Sequence, residues 1–554
     1  MEMTRLQGAV AMERNREADL ATLRAVQFEA QRGAHAQAVT LARAAISDGL
    51  EHPLLLNVAA LGCEEEGRFI DAEQLLRRAV ALAPNDIASR NALGLCLLRL
   101  DRPEDALSEF EVLIRVNPAL AFFHSSKGAA LFAIGRIEEA ELSFRHSLQR
   151  DPSQGVALAG LARIAASRGS YAEARTLAER ALVSIPGNPD AILSLAAAEL
   201  GLRSIAQAES LTRALLAEPN IAPSDRAYAH GLLGDILYAE NRPGEAFAAY
   251  EACNEALRRL YSERFASAPT ALEYANSMAT QLASSPVAPR RAGPEPRHPA
   301  DARADPVFLL GFPRSGTTLI EIVLEGHPDV VSLEEQELLI DGVREFMQRP
   351  EDLERLRQAS PARLAELRSA YWQRVARRGI DVAGRLFIDE HPFNTLKLPL
   401  IACLFPRAKL LFACRDPRDV VLSCFRHRFK MSAPTFELLT LDGAAKYYDA
   451  TMRIAVQSAR VFALEPLLVR HEDVVTEFGR EMRRICAFLE LEWTPAMGDF
   501  ALRAEKRSVL TPSTAQLVRG LNTEGIGQWR RYPVAMTPVL EILTPWIKRF
   551  LYET

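Results

Sequence analysis

Val307-Phe308-Leu309-Leu310-Gly311-Phe312-Pro313-Arg314-Ser315-Gly316-Thr317-Thr318 is the stretch that decides the fold of the second half of this chain. Four consecutive apolar residues read as a short strand buried on both faces. A glycine-bounded loop follows at once, and Leu319-Ile320-Glu321-Ile322-Val323-Leu324 beyond it has helical spacing. Strand, tight loop and helix N-terminus in succession make an anion site, because backbone N–H groups converge on the loop and the helix dipole favours negative charge. The G-x-x-x-x-G spacing of Gly311 and Gly316 is that of an ATP-binding phosphate loop, but the lysine such a loop requires after its second glycine is Thr317 here. The positive charge sits inside the loop instead, as Arg314, and no strand ends in an acid suited to hold magnesium. These features disfavour a kinase or ATPase. A purely structural turn would have no use for Arg314, Ser315, Thr317 and Thr318 together.

A second strand-to-helix junction lies about a hundred residues on. Lys409-Leu410-Leu411-Phe412-Ala413-Cys414 is another buried-strand run, ending in Arg415-Asp416-Pro417-Arg418-Asp419. Asp416 suits an N-cap and Pro417 the first helical turn. The helix then carries Ser423 and a basic end, Arg426-His427-Arg428. Arg415 at the strand end and Ser423 two turns into the helix are placed to share one phosphate. Leu386-Phe387-Ile388 and Leu467-Leu468-Val469 read as further parallel strands. The expected architecture is an open α/β sheet with helices on both faces and ligands across the strand C-termini.

The first half has a different organisation. Ala38, Ala72, Ala106, Ala140, Ala174 and Ala208 recur every 34 residues, and Pro84, Pro118, Pro152 and Pro186 keep the same interval. Within a unit the pattern is Leu93-Gly94, Ala106, Phe110 and Pro118, repeated at Gly128, Ala140, Phe144 and Pro152, and again at Leu233-Gly234, Ala246 and Tyr250. Each unit reads as two amphipathic helices, with small residues where the helices approach and proline closing the second helix. This resembles the tetratricopeptide repeat. About seven units are expected between residues 19 and 258, an all-α solenoid whose groove suits a peptide or protein partner. Residues 259–305 read as a capping helix followed by a linker, Ser284 to Asp305 being rich in Pro, Ala and Arg without apolar period. The second domain spans 306–554.

The two phosphate-site motifs together resemble the sulfotransferases that use 3′-phosphoadenosine 5′-phosphosulfate (PAPS), closest to tyrosylprotein sulfotransferases and to bacterial repeat-fused members. The resemblance implies a P-loop sulfotransferase fold with a parallel sheet. It assigns Pro313, Arg314, Ser315, Gly316, Thr317 and Thr318 to the 5′-phosphosulfate and Arg415 and Ser423 to the 3′-phosphate. Ser513-Thr514-Ala515-Gln516 corresponds to the family's S-T-x-Q segment and Trp529-Arg530-Arg531 to its Trp-basic segment, so Trp529 and Arg530 join the nucleotide contacts. The catalytic base implied is Glu335, 21 residues after Arg314, with Arg314 neutralising the sulfonate and Ser513 hydrogen-bonding to the phosphosulfate. No metal is implied. Two departures stand out. Asp389-Glu390-His391-Pro392 puts Glu390 where the family has a lysine over the leaving group, a loss of charge stabilisation that typically costs about 10²–10³ in rate. Gln336-Glu337 replaces the arginine that reads acidic residues around a target tyrosine, and His471 replaces a common tyrosine.

Bulk properties bound the remaining choices. A net charge of −5 argues against nucleic acid as the main partner. Seven scattered cysteines with no C-x-x-C pair fit reduced thiols in the cytoplasm. The first sixteen residues lack the apolar core of a secretory signal, and no run is long enough for a membrane span. Three functions stay open: sulfuryl transfer to a hydroxyl, protein tyrosine included; transfer to a carbohydrate, lipid or small metabolite; and a catalytically weak PAPS-binding scaffold.

Overall fold

The computed structural model describes residues 2–219, 221–266, 269–287, 305–333, 335–506, 517 and 520–553. Helices from Glu2–Gln31 to Pro243–Phe265 follow one another as seven helix–turn–helix pairs, and a further helix runs over Ala271–Ser284. The 34-residue phase has a direct packing cause. All six alanines of the series are at most 1% exposed. A Cβ placed on Gly94 would lie 2.7 Å from the Phe110 ring, one on Gly128 2.6 Å from Phe144, and one on Gly234 2.5 Å from Tyr250. The bare backbone of each first helix therefore receives the aromatic ring of the second. Pro84, Pro118, Pro152 and Pro186 each stand two residues beyond the end of a second helix, where no N–H is needed.

Two compact units divide the chain: residues 1–166 with 170–198, and residues 167–169 with 199–554. The division falls inside the repeat array, so the last repeat helices share a unit with the α/β domain. The helix Ala271–Ser284 is closed by a capping box between Thr270 and Glu273. It contributes Ala275, Met278, Ala279 and Leu282 to the core of that domain.

Among the described residues the domain is built on five parallel strands in the order β2-β3-β1-β4-β5: β1 Val307–Leu310, β2 Val330–Leu333, β3 Leu386–Glu390, β4 Leu410–Cys414 and β5 Leu467–Arg470. Side chains alternate strictly between its faces. Val307, Leu309, Ile388, Leu411, Ala413 and Val469 pack with the helix Thr317–Leu324 on one side. Phe308, Leu310, Phe387, Leu410, Phe412 and Cys414 pack on the other, against the long helix Leu441–Phe462. Two buried layers explain why the strands read as unbroken apolar runs. β2 escapes that reading because it is an edge strand of four residues, with Val331 and Leu333 only half-buried.

β1 and β4 are neighbours, yet the helices leaving them cover opposite faces: Leu319–Leu324 enter one core, and Val420, Val421 and Leu422 the other. A crevice opens where two such connections diverge, at the strand C-termini. Among the described residues no helix is long and apolar enough to cross a membrane.

The ring-on-glycine contact is the weak point of each repeat. Gly128→Val is expected to destabilise the array by about 1–3 kcal/mol through overpacking against Phe144, read as a lowered urea midpoint of the helical circular-dichroism signal. An unchanged midpoint would show that the ring moves freely.

Candidate active site

The loop after β1 is tied down before it turns. Gly311 N–H donates to Thr395 Oγ1 at 3.0 Å and its carbonyl accepts from the same hydroxyl at 2.5 Å, so the turn Pro392–Lys397 after β3 fixes the loop's entry. Ser315 closes it, its N–H donating to Phe312 O at 3.1 Å and its Oγ accepting from Phe312 N–H at 3.3 Å. Arg314 (φ +71°) and Gly316 (φ +96°) both take the left-handed conformation. That is unusual for arginine and marks a conformation imposed by its surroundings. Gly316 has no alternative: a Cβ there would stand 2.5 Å from His471 Nδ1. Burial, then the charges of Arg415 and Arg314, push that imidazole down to about 3, so it underlies the loop as a neutral ring.

The crevice brings both motifs together. Arg314 Nε donates to Ser423 Oγ at 3.1 Å, and Arg415 donates to the Arg314 carbonyl at 3.2 Å and to the Gly525 carbonyl. Asp416 caps the helix Pro417–Arg426 by accepting from Arg418 N–H at 2.9 Å, as its sequence suggested. Pro313 is buried, and its carbonyl accepts from Cys424 Sγ at 3.3 Å. Ser315 and Thr317 are buried, while Arg314, Gly316 and Thr318 keep partial exposure. The Arg314 guanidinium is pushed down to about 10, chiefly by burial and next by Arg415, with the carboxylate of Glu335 acting in the opposite direction. It stays cationic at neutral pH.

Glu335 is exposed in the turn just past β2. β2 is held by Ser332 Oγ, which lies 2.6 Å from a Glu321 carboxylate oxygen on the helix that follows the loop and 2.5 Å from one of Glu325 at that helix's C-cap, its single proton shared between them. Ser513 lies outside the described residues.

The C-terminal segment forms another wall. Asp419, 1% exposed, accepts from the N–H groups of Gly527 at 2.6 Å and Trp529 at 2.9 Å, anchoring the turn Gln528–Arg531 beside the helix that carries Ser423. Arg418 lies over the Trp529 ring at 4.0 Å and the exposed Arg530 at 5.0 Å. Arg415 Nε and Trp529 Nε1 are buried donors without a hydrogen-bond partner among the described residues. Buried donors are rarely left so. Together with Arg314, Arg415 and Ser423 they fit a ligand carrying anionic oxygens, and among the described residues no cluster suited to a metal ion is found.

Sequence reasoning overlooked Thr395, Asp419 and the Gly525–Gly527 turn. An acid in the first turn of a helix reads as a dipole partner, which hides the role of Asp419 as an anchor. Glu390 is 2% exposed at the end of β3, opposite Leu309. Neither neighbouring base supplies a free cation. His391 is pushed down to about 4 by burial and by Lys397. Lys397 donates to Glu337 at 2.6 and 2.7 Å and to Asn394 at 3.1 Å.

Asp389 is the other buried acid on β3. It accepts from Tyr371 OH at 2.9 Å and Asn394 Nδ2 at 2.8 Å, and burial pushes its carboxyl up to about 7. An unfolded aspartate titrates near 4. The folded chain thus binds the extra proton between these values, so the stabilising contribution is complete below about pH 4 and is lost as pH rises through about 7. Asp389→Asn is expected to flatten the fall of the urea midpoint between about pH 4 and 7. A variant whose midpoint falls as steeply as the wild type would refute this.

The comparisons with known proteins agree with this geometry. Residues 306–495 match a model described as Sulfotransferase family, and residues 65–121 and 126–189 match models of the tetratricopeptide repeat. An uncharacterized protein of Aquifex aeolicus (strain VF5) is 26% identical over 438 residues, 74% of this chain and 53% of that one. The chain thus spans about half the length of that relative. Protein-tyrosine sulfotransferase A of Caenorhabditis elegans is 28% identical over 261 residues, 45% of this chain and 67% of that one. Protein-tyrosine sulfotransferase 1 of Danio rerio is 24% identical over 263 residues, 45% and 72% respectively. Among solved structures, the sulfotransferase domain of the Synechococcus PCC 7002 olefin synthase is 22% identical and covers 47% of this chain and all of that one, with a TM-score of 0.34. The chain thus carries two tetratricopeptide-repeat matches in its helical array and, over residues 306–495, a match to the sulfotransferase family in its α/β domain.

Proposed function

We propose that the chain transfers the sulfuryl group of PAPS to a hydroxyl acceptor, protein tyrosine being the acceptor class favoured by its named relatives. The observation that carries the reading is the contact of Arg314 with Ser423, with Arg415 bonded to the loop carbonyl, which brings the 5′- and 3′-phosphate motifs into one crevice. The acceptor oxygen attacks sulfur as the bond from sulfur to the phosphate oxygen breaks, releasing 3′-phosphoadenosine 5′-phosphate. Glu335 takes the hydroxyl proton, and Arg314 stabilises negative charge on the sulfonate and the leaving oxygen. The role of Ser513 at the phosphosulfate rests on the sequence motif. With Glu390 in place of the expected lysine, His391 neutral and Lys397 paired with Glu337, the leaving-group charge falls on Arg314 and Arg415.

The repeat array suits a protein acceptor or partner, since such solenoids bind peptides in their grooves. Gln336-Glu337 departs from the pattern that selects acidic peptides. Transfer of labelled sulfate from PAPS into a cell extract separates the acceptors: label destroyed by protease marks a protein, and protease-resistant label a carbohydrate, lipid or metabolite. Glu335→Ala is expected to lower the transfer rate by about 10²–10⁴ with nucleotide affinity nearly unchanged, measured by single-turnover transfer and by calorimetry. Full transfer by this variant would remove Glu335 as the base. Binding of nucleotide without transfer by the wild-type chain would leave a PAPS-binding scaffold.

A further inference from the structure

The end of the helix that carries Ser423 is held from outside the sheet. Its terminal carbonyls have no partner within the helix. Phe425 O instead accepts from Asn254 Nδ2 at 2.8 Å, and Asn254, 4% exposed, belongs to the last repeat helix, Pro243–Phe265. Arg428, just past the helix end, pairs with Asp235 at 2.8 Å on the preceding repeat helix, Pro223–Ala239. Tyr250 OH donates to the other oxygen of the same carboxylate at 2.9 Å. A Cβ on Gly231 would lie 2.7 Å from the Arg428 side chain, so a small repeat position receives an arginine there.

The same repeat also grips the C-terminal wall. Arg426 lies over the Tyr238 ring at 4.0 Å and Arg531 over the same ring at 4.3 Å. Arg426 further donates to Gln528 at 2.9 Å, and Arg531 donates to Asn241, just past the helix that carries Tyr238. Tyr238 thus links the helix of Ser423 to the turn of Trp529. All these residues belong to one compact unit.

We infer that the last tetratricopeptide repeat is a structural part of the nucleotide site, with Asn254 and Tyr238 as positioning residues for the 3′-phosphate pocket formed by Ser423, Arg415 and the Trp529 turn. This rests on the donor reading given above. A guanidinium stacked on an aromatic face is attracted to it, more strongly when desolvated, and two such contacts on one ring couple the two walls. A partner that binds the repeat array and shifts its last helices therefore acts on donor affinity.

The test uses the full chain and two nucleotides that differ only at the 3′ position, 3′-phosphoadenosine 5′-phosphate and adenosine 5′-phosphate. Tyr238→Ala and Asn254→Asp are each expected to weaken the 3′-phosphorylated nucleotide about tenfold, the scale of one charge-assisted hydrogen bond, and to leave the other nearly unchanged. Tyr238→Phe keeps the ring and is expected to retain wild-type affinity. Should Tyr238→Ala fail to fold, by circular dichroism, Asn254→Asp decides. Equal weakening of both nucleotides, or none, overturns the inference while leaving the donor reading intact. A wild-type chain that binds neither nucleotide removes the donor reading, and the positioning role falls with it.

Discussion

Two arginines, Arg314 and Arg415, are held close together where the loop after β1 meets the end of β4, and much of the α/β domain is organised around that constraint. Arg314 sits in a left-handed turn inside the phosphate loop, and Arg415 leaves the neighbouring strand to bond its carbonyl. Burial, and next the repulsion of Arg415, lower the affinity of Arg314 for its proton. Dipoles offset part of it: the carbonyls of Arg314 and Gly525 and the hydroxyl of Ser423 all face guanidinium groups. A bound polyanion would offset the rest, so occupancy of this crevice and stability of the domain are linked.

The fold supplies the geometry that such a pair needs. Parallel strands with both faces buried place β1 beside β4 in a rigid layer, and their outgoing helices diverge at the crevice. Thr395 ties the loop to the turn after β3, His471 fills the space beneath Gly316, and Asp419 pins the C-terminal turn. Each of these residues bonds to or packs against backbone of the site, which is how a scaffold holds charges that would otherwise separate.

Much of this was legible in the residues alone. The 34-residue phase, the buried strands at Val307 and Leu410, and the two strand–loop–helix junctions are local patterns, set by helix packing and by the needs of a helix N-terminus. The unforeseen features depend on long-range pairing. β2 is too short and too exposed for an alternating pattern to show. Thr395 and His471 lie 84 and 155 residues beyond Gly311 and Gly316, the glycines they touch, so no spacing rule connects them. The boundary near residue 306 follows from a change in composition, whereas the contacts of Asn254 and Asp235 with the helix of Ser423 cross it. That Glu390 stands where the resemblance implies a lysine is a reading of the sequence. That His391 and Lys397 offer no free positive charge required their surroundings.

The account stands on the crevice being a site for a 3′-phosphorylated adenine nucleotide, and direct calorimetric titration of the unmodified full chain tests this most directly. It predicts that 3′-phosphoadenosine 5′-phosphate binds at least about tenfold more tightly than ATP with magnesium, because the contacts of Ser423 and Arg415 are charge-assisted and have no counterpart in ATP. ATP binding as tightly, or neither nucleotide binding, would contradict it.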